Sequence, residues 1–377
     1  MIKLKFTILF VFIITTCTTY SQDSIYARNI VDTLTSTHFW GRGYTNNGVQ
    51  KAANFLKKEL EYFGLETTMQ SYNFSVNTFP SKMDVEVNGK KLIPGIDFII
   101  SPESKGIKAN GNCQKGKSND YIDINNRVIF KIEEKLTWSV AQQVEDYTLI
   151  QIAAKSLTEP IDNYKAFIEN KFIKKYENNN ILAISKGTQY PDSFLVLTAH
   201  YDHLGGMGSE TYFPGANDNA SGVALLLNLA KHYAKNPLPC SVAFVLFSGE
   251  EAGLLGSNYF VEHPLIPLKN IKFLLNTDLA GTGDDGITVV NASEYPKQFA
   301  LMQKINNEQK LLKAVNPRGK AANSDHYHFT EKGVPSFFFY TLGGIKAYHD
   351  VFDKAATLPL NEQNDLFTLI IQFFKNL

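Results

Sequence analysis

The pattern of apolar and polar positions divides the sequence into regions of different character. Apolar residues repeat at helical spacing over Val49–Phe63, and Gly64 follows where such a helix commonly ends. Residues 66–155 carry short alternating stretches separated by Asn, Gly, Pro and Lys clusters, which is typical of strands joined by loops. From about Asn180 onward, apolar runs of strand length alternate with helical patterns.

The region after Asn180 predicts an α/β fold. Its near-continuous apolar strands favour a mostly parallel central sheet with helices on both faces. The predicted strands are 181–185, 194–199, 242–247, 271–276 and 336–340, and the predicted helices are 221–233, 254–261, 299–309 and 365–374.

These patterns divide the chain into four segments. They are a signal peptide over 1–21, an N-terminal helical part of the main domain over 22–65, a β-rich inserted subdomain over 66–175 and the main domain over 176–377. A helix over Ile161–Tyr176 is expected to lead from the insert back to the main sheet.

The amino terminus has the layout of a secretory signal peptide. A basic start precedes an apolar run over 6–14, and small and polar residues continue to Ser21. The run is too short to span a bilayer, so we expect export to the periplasm or the medium, with the mature chain starting near Gln22. Cys17 leaves a lipid anchor as the alternative.

Charge and cysteine content exclude some classes of partner and site. The 37 acidic and 37 basic residues balance, so nothing favours nucleic acid or an anionic membrane surface as a partner. Beyond the signal peptide only Cys113 and Cys240 remain, and whether they pair is open. No Cys-x-x-Cys occurs, so any metal site must use His and carboxylate ligands.

Residues able to bind metal follow the predicted strands of the main domain. They are His200 and Asp202 after 194–199, Glu250 and Glu251 after 242–247, Asp278 after 271–276, and Tyr348 and His349 after 336–340. Because α/β proteins bind ligands beyond the carboxyl ends of parallel strands, we expect these side chains to converge. Asp218 joins them from a turn, although alone it could be a helix N-cap.

Two imidazoles and three carboxylates suit a pair of zinc ions that share one carboxylate. Neighbouring side chains at a strand end point differently, so Glu251 can bind metal while Glu250 faces a water molecule as general base. Asp202 can hold the second ring nitrogen of His200.

The sequence also carries an ordered set of motifs that resembles one family. The motifs AHYDHLG, GANDNASG, FSGEEAGLLGS, NTDLAG, SDHYHF and YHD closely resemble the M28 family of zinc aminopeptidases. The resemblance covers about residues 180–355, and more weakly the Gly41-Arg42 turn and the helix over 49–63.

The resemblance implies a role for each residue and an activity on peptides. Two zinc ions per chain are implied, the first bound by His200 and Asp278, the second by Glu251 and His349, with Asp218 bridging. Glu250 is the implied general base, Asp202 the implied supporting carboxylate of His200, and Tyr348 a candidate to stabilise the oxyanion. Asp325, in the SDH motif, is expected near the free amino group of the substrate, and His203 is expected to form a wall of the site.

Other readings of the same fold remain open. Glutaminyl cyclases resemble this fold and use a single zinc, and carboxypeptidases share the two-metal ligand set. The insert occupies the place of a protease-associated domain in related enzymes. Loops around 205–215 and 316–347 are expected to form the pocket for the substrate side chain.

Overall fold

The computed structural model describes residues 22–118 and 120–377 and shows an α/β fold. The predicted signal peptide and the alternative lipid anchor at Cys17 lie outside the described residues. In the described part of the chain, no helix combines the length and the apolar character that crossing a membrane requires.

The helices and strands of the described chain are as follows. The helices are α1 (Ser24–Leu34), α2 (Gly48–Tyr62), α3 (Gly222–Lys235), α4 (Leu255–Glu262), α5 (Pro296–Gln309), α6 (His326–Glu331) and α7 (Gln363–Lys375). The strands are β1 (Glu66–Thr78), β2 (Asp84–Val87), β3 (Lys90–Leu92), β4 (Phe98–Ile100), β5 (Ile107–Asn112), β6 (Gln114–Lys115), β7 (Asp120–Asp123), β8 (Val128–Glu133), β9 (Thr148–Ala153), β10 (Asn163–Ile168), β11 (Lys171–Ser185), β12 (Tyr190–His200), β13 (Gly205–Gly206), β14 (Tyr212–Phe213), β15 (Cys240–Phe247), β16 (Ile271–Thr277), β17 (Gly286–Val290), β18 (Val315–Pro317) and β19 (Ser336–Leu342).

The main sheet contains strands in the order β1-β11-β15-β12-β16-β19-β17-β18. At its centre β15, β12, β16 and β19 run parallel to one another. β11 is antiparallel to both β1 and β15, and β17 is antiparallel to β19. The sheet is therefore mixed, and the prediction of a mostly parallel sheet is not confirmed, because apolar runs do not specify the direction of a strand.

Both faces of the main sheet are covered by helices. Successive side chains of a strand point to opposite faces, and in β12 Leu195 and Leu197 enter one hydrophobic cluster while Phe194 and Val196 enter another. The first cluster includes residues of α1, α2, α3, α5 and α7, and the second includes residues of α4 and α6. The central strands are thus buried on both sides, as their apolar sequences predict.

The β-rich segment forms two smaller sheets between β1 and β11. Their strand orders are β3-β2-β10-β5 and β4-β9-β8-β7-β6. A third hydrophobic cluster joins them to the β13–β14 hairpin through Met207 and Phe213. β1 and β11 themselves pair within the main sheet, and the domain boundaries at 66 and 175 stay a prediction. Cys113 and Cys240 are free and lie in separate hydrophobic clusters.

The predicted helix over Ile161–Tyr176 is wrong. The segment forms β10 and the start of β11 instead. In β10, Tyr164, Ala166 and Ile168 are buried while Lys165 is exposed, which is the alternation of a strand. Aromatic and aliphatic residues about four positions apart imitated a helical stripe, and pairing of β10 with β2 and β5 decides the conformation.

Candidate metal centre

Adjacent parallel strands bring the predicted ligands to one edge of the main sheet. His200 is the last residue of β12, Asp278 directly follows β16, and Glu250 and Glu251 follow β15 after a short turn. β15, β12 and β16 are neighbours in the sheet, so their carboxyl ends meet at this edge. The structure therefore brings these four residues together.

Asp218 lies at the centre of the group and presents one carboxylate oxygen to each of two imidazoles. Its Oδ1 lies 3.3 Å from Nε2 of His200, and its Oδ2 lies 3.1 Å from Nε2 of His349. Nε2 of His200 is also 3.3 Å from Oδ1 of Asp278, and Nε2 of His349 is 3.1 Å from Oε2 of Glu251. These side chains form two sets, each containing one imidazole, that share Asp218.

The spacing of these atoms fits zinc ligation. Two ligand atoms that each lie about 2.0–2.2 Å from one tetrahedral zinc are about 3.3–3.6 Å apart. The imidazole–carboxylate separations of 3.1–3.3 Å are close to that spacing. Imidazole nitrogen and carboxylate oxygen are also the ligand types of catalytic zinc sites. The residues present therefore fit two zinc ions that share Asp218.

Backbone carbonyls hold both imidazoles with Nε2 facing the centre. Nδ1 of His200 lies 3.2 Å from the carbonyl oxygen of Asp202, and Nδ1 of His349 lies 3.1 Å from that of Trp138. A carbonyl only accepts, so each Nδ1 carries the proton and each Nε2 is free to bind metal. Trp138 belongs to the β-rich segment, which thus supplies part of the support for His349.

The carboxylate of Asp202 supports Glu250 more closely than it supports His200. Its Oδ1 accepts a hydrogen bond from the backbone N–H of Glu250 at 3.2 Å, whereas the same oxygen is 3.8 Å from Nδ1 of His200. Its Oδ2 accepts from the hydroxyl of Tyr44 at 3.0 Å. The predicted support of His200 is therefore given mainly by the Asp202 backbone.

The two adjacent glutamates differ in their electrostatic environment. Burial raises the pKa of Glu250 well above its usual range, and repulsion from Glu251 and Asp278 adds to the rise. Burial also opposes ionisation of Glu251, but His349 and a hydrogen bond with His203 hold its pKa at about 2. Without metal, the neutral form of Glu250 and the anionic form of Glu251 are therefore favoured.

A cavity of about 340 Å³ opens onto the ligands. Asp218, Glu250, Asp278 and His349 line its inner end. The remaining wall is formed by two residues of β19 and by residues of the loops after β16, β18 and β19: Phe338, Tyr340, Leu279, Arg318, Asn323 and Tyr348. The wall therefore uses the predicted 316–347 region but none of the 205–215 loop. A larger cavity, of about 580 Å³, lies on the β3-β2-β10-β5 sheet and contains none of the ligands.

The other predicted site residues occupy different positions. Tyr348 lines the cavity, and its ring stacks on His349 with centroids 3.9 Å apart. His203 is fully buried, its Nδ1 lies 2.7 Å from Oε1 of Glu251, and it is not among the residues that line this cavity. Asp325 is fully buried and is not among the residues that line the cavity.

Comparison with known proteins agrees with this geometry. The model of peptidase family M28 matches residues 180–374, which is more than half of the chain. The chain belongs to peptidase family M28.

Proteins that are similar to this chain include aminopeptidases and a glutaminyl cyclase. Aminopeptidase YwaD of Bacillus subtilis is 29% identical over 180 residues, which are 46% of this chain and only 38% of that protein. The structure of BSAP, a zinc aminopeptidase from Bacillus subtilis, matches with a TM-score of 0.71 at 18% identity, covering 94% of each chain. The glutaminyl cyclase of Porphyromonas gingivalis matches with a TM-score of 0.59 at 14% identity, covering 94% of this chain and 98% of that one. At these identities the two solved structures show a common fold.

The turn that carries Asp218 in this M28 chain is held by a buried carboxylate. Asp353 accepts hydrogen bonds from the backbone N–H groups of Asn217 at 2.8 Å and of Asp218 at 3.0 Å. Gly215 precedes them with φ of 61°, and a Cβ at this position would collide with the His203 ring and the Asp218 carbonyl oxygen. Glycine is therefore required where the turn passes close to His203.

Arg42 is a fully buried residue that ties the turn to the end of β12. Its guanidinium donates to the carbonyl oxygens of Tyr201 at 2.9 Å and Asp218 at 3.1 Å. It also donates to those of Leu34, Pro214 and Gly215. Burial lowers the pKa of Arg42 to about 10, and the negative charge of Asp218 limits the fall.

Three supporting residues of the M28 site were not assigned from the sequence. The side chains of Arg42 and Asp353 bind backbone groups of residues far away in the chain, and the backbone carbonyl of Trp138 accepts from the distant His349 side chain. The only sequence signal was the weak resemblance of the Gly41-Arg42 turn to the family pattern.

Proposed function

We propose that this protein is an exported two-zinc aminopeptidase that removes N-terminal residues from peptides. The observation that carries the proposal is the pair of imidazole–carboxylate sets that share Asp218 beside Glu250 in one cavity. Membership of peptidase family M28 and the names of relatives support the reaction class. Export rests on the signal-peptide pattern of residues 1–21.

The ligand assignment follows the two sets. His200 and Asp278 would hold one zinc ion, Glu251 and His349 would hold the other, and Asp218 would be shared, as the distances between these side chains allow. When bound, two such ions lower the pKa of water and stabilise negative charge on the scissile carbonyl oxygen.

The residues of the chain then carry the proton transfers. Glu250 takes a proton from the attacking water and later gives it to the leaving amine. The hydrogen bond that the backbone N–H of Glu250 donates to the Asp202 carboxylate fixes the backbone of Glu250. Tyr348 lies in the same cavity, where its hydroxyl donates to the carbonyl oxygen of the substrate.

The complete ligand set favours this function over a single-zinc cyclase. A cyclase site needs one imidazole and two carboxylates, and it gives no reason for a second imidazole, His349, 3.1 Å from Asp218. Carboxypeptidases share the ligand set, so the choice of the peptide amino end rests on the aminopeptidase relatives.

A substrate panel tests the proposed function. Mature protein expressed from residue 22 is loaded with zinc and assayed on aminoacyl-p-nitroanilides, on peptides with N-terminal glutamine and on N-terminally blocked peptides. We expect release of free amino acids that stops with chelator and returns with zinc. Pyroglutamate formation without hydrolysis would identify a cyclase, and cleavage of blocked peptides alone would identify a carboxypeptidase. Intact mass of the exported protein tests cleavage before Gln22, and retention of Met1 would contradict it.

A further inference from the structure

Arg318 places a positive charge on the wall of the cavity that contains the proposed metal site. It directly follows β18, and its backbone is fixed to the edge of the main sheet. Its N–H donates to the carbonyl oxygen of Val289 at 2.9 Å, and its own carbonyl oxygen accepts from Ala292 at 3.0 Å. The side chain therefore starts from a rigid element rather than from a free loop.

Most of the hydrogen-bonding capacity of this guanidinium is unused. One terminal nitrogen donates to the hydroxyl of Tyr340 at 3.1 Å, and the guanidinium lies 6.0 Å from the centre of the same ring. Within residues 22–118 and 120–377 no carboxylate oxygen lies within 4.0 Å of it. A guanidinium carries five N–H donors, so donors remain for a ligand.

The other arginines of the described chain are occupied. Arg28 donates to the backbone carbonyls of Ala355 and Leu358, and Arg42 donates to backbone carbonyls that include that of Asp218. Arg127 pairs with Asp146. Arg318 alone among them combines spare donors with a position on the wall of the candidate active site.

Aromatic side chains line the same cavity as Arg318 and the proposed ligands. They are Phe338, Tyr340 and Tyr348, and Asn323 adds a neutral amide. A substrate with its scissile carbonyl at the ligands therefore extends across aromatic surface toward a cation. Arginine binds carboxylates through two parallel hydrogen bonds, and a carboxylate is the anionic group that unmodified peptides carry.

We propose that Arg318 selects substrates that place a carboxylate in this cavity, an inference that rests on the proposed aminopeptidase function. The carboxylate can belong to the side chain of an N-terminal glutamate or aspartate. It can also be the C-terminal carboxylate of a dipeptide. The chemistry at Arg318 is the same in both cases, and the substrates tested distinguish the two sources.

Matched substrates measure the preference on the zinc-loaded protein. Glutamyl- and methionyl-p-nitroanilide have side chains of similar length with and without charge, and leucyl-glycine is compared with its C-terminal amide. In at least one pair, we expect the member with the carboxylate to have the higher kcat/KM. Arg318→Gln should lower the ratio of the two kcat/KM values about tenfold, which is the effect of one charge-assisted hydrogen bond at a partly exposed site. Arg318→Lys should retain part of the ratio, and Arg127→Gln should retain all of it.

A binding measurement separates this inference from the proposed function. Free glutamate and methionine, and leucyl-glycine and its amide, are titrated calorimetrically into the wild-type and Arg318→Gln proteins. Preferential binding of the carboxylate in wild type alone supports the role of Arg318 even if no peptide is hydrolysed. Two results would overturn the role of Arg318 while the peptidase function stands. One is hydrolysis in which Arg318→Gln changes neither ratio, and the other is a wild-type preference for the neutral member of each pair.

Discussion

The guanidinium of Arg42 donates a hydrogen bond to the backbone carbonyl oxygen of Asp218 across 176 positions of sequence. The same side chain donates to the carbonyl oxygen of Tyr201, the residue after His200. Arg42 thus fixes the distance between β12, which carries His200, and the turn that carries Asp218.

Arg42→Lys should weaken zinc binding. Lysine carries its donors on a single nitrogen, so it cannot reach the five carbonyl groups that Arg42 contacts. We expect zinc affinity to fall about 10–100-fold, as for other residues that orient metal ligands. Competition with a fluorescent chelator measures the affinity. Arg28→Lys is the matched control, because Arg28 also donates to backbone carbonyls, but to none that belongs to a proposed ligand or to the residue next to one. Equal losses in both variants would indicate a general effect on stability.

Glu250→Gln should remove turnover while zinc remains bound. The amide has nearly the same shape but cannot accept and return a proton, so kcat should fall by about 10²–10⁴. Zinc content is measured by atomic emission on the same sample. Glu251→Gln should instead lose zinc, because Glu251 lies beside His349 and is assigned as a metal ligand, not as the base. Wild-type activity in Glu250→Gln would show that another residue transfers the proton.

The positions of the candidate ligands in the fold are predictable where they depend on strand order, and less so elsewhere. His200, Glu251 and Asp278 each follow a buried apolar strand, and the carboxyl ends of adjacent parallel strands meet at one edge. The sequence does not record which distant backbone groups fold against these ligands. Trp138 and His349 are hydrogen-bonded although they are 211 positions apart in the sequence, and no local pattern marks either residue as the partner of the other.

The errors in the predicted fold have a physical cause as well. Apolar strands indicate burial on both faces but carry no information on direction, so the antiparallel β11 and β17 were not foreseen. In Ile161–Tyr176, a short segment was compatible with both helical and strand patterns. Pairing with β2 and β5, which are distant in sequence, selects the strand.

Asp218→Ala should reduce bound zinc to less than one ion per chain. Asp218 contributes one oxygen to each set, so its loss leaves each with a single imidazole and a single carboxylate. Stoichiometry is measured after dialysis against a defined zinc buffer. Asp325→Ala offers a comparison, since Asp325 is buried in the same region without entering either set. Two zinc ions retained in Asp218→Ala would exclude the bridging role.

Removal of zinc should lower thermal stability. Without cations, the carboxylates of Asp218, Glu251 and Asp278, whose side chains are almost inaccessible to solvent, lie close together and repel one another. A ligand that binds only the folded state contributes about 2.7 kcal/mol at a free concentration of 100 times Kd. We expect chelator to lower Tm and zinc to restore it, as measured by calorimetry. Magnesium serves as the control, because it prefers octahedral oxygen sites. An unchanged Tm in chelator would contradict zinc binding to the folded chain.

Trp138→Phe should weaken one zinc site more than the other. The indole Nε1 donates to the carbonyl oxygen of Ile100 at 2.7 Å, and its ring stacks on Phe213 with centroids 4.7 Å apart. These contacts hold the Trp138 carbonyl that accepts from His349. Phenylalanine keeps part of the stacking but loses the hydrogen bond, so the backbone under His349 should become less fixed. Zinc titration should show one weakened ion and one of wild-type affinity, because His200 is held by Asp202 instead. Equal weakening of both ions would mean that the β-rich segment supports the whole site rather than His349.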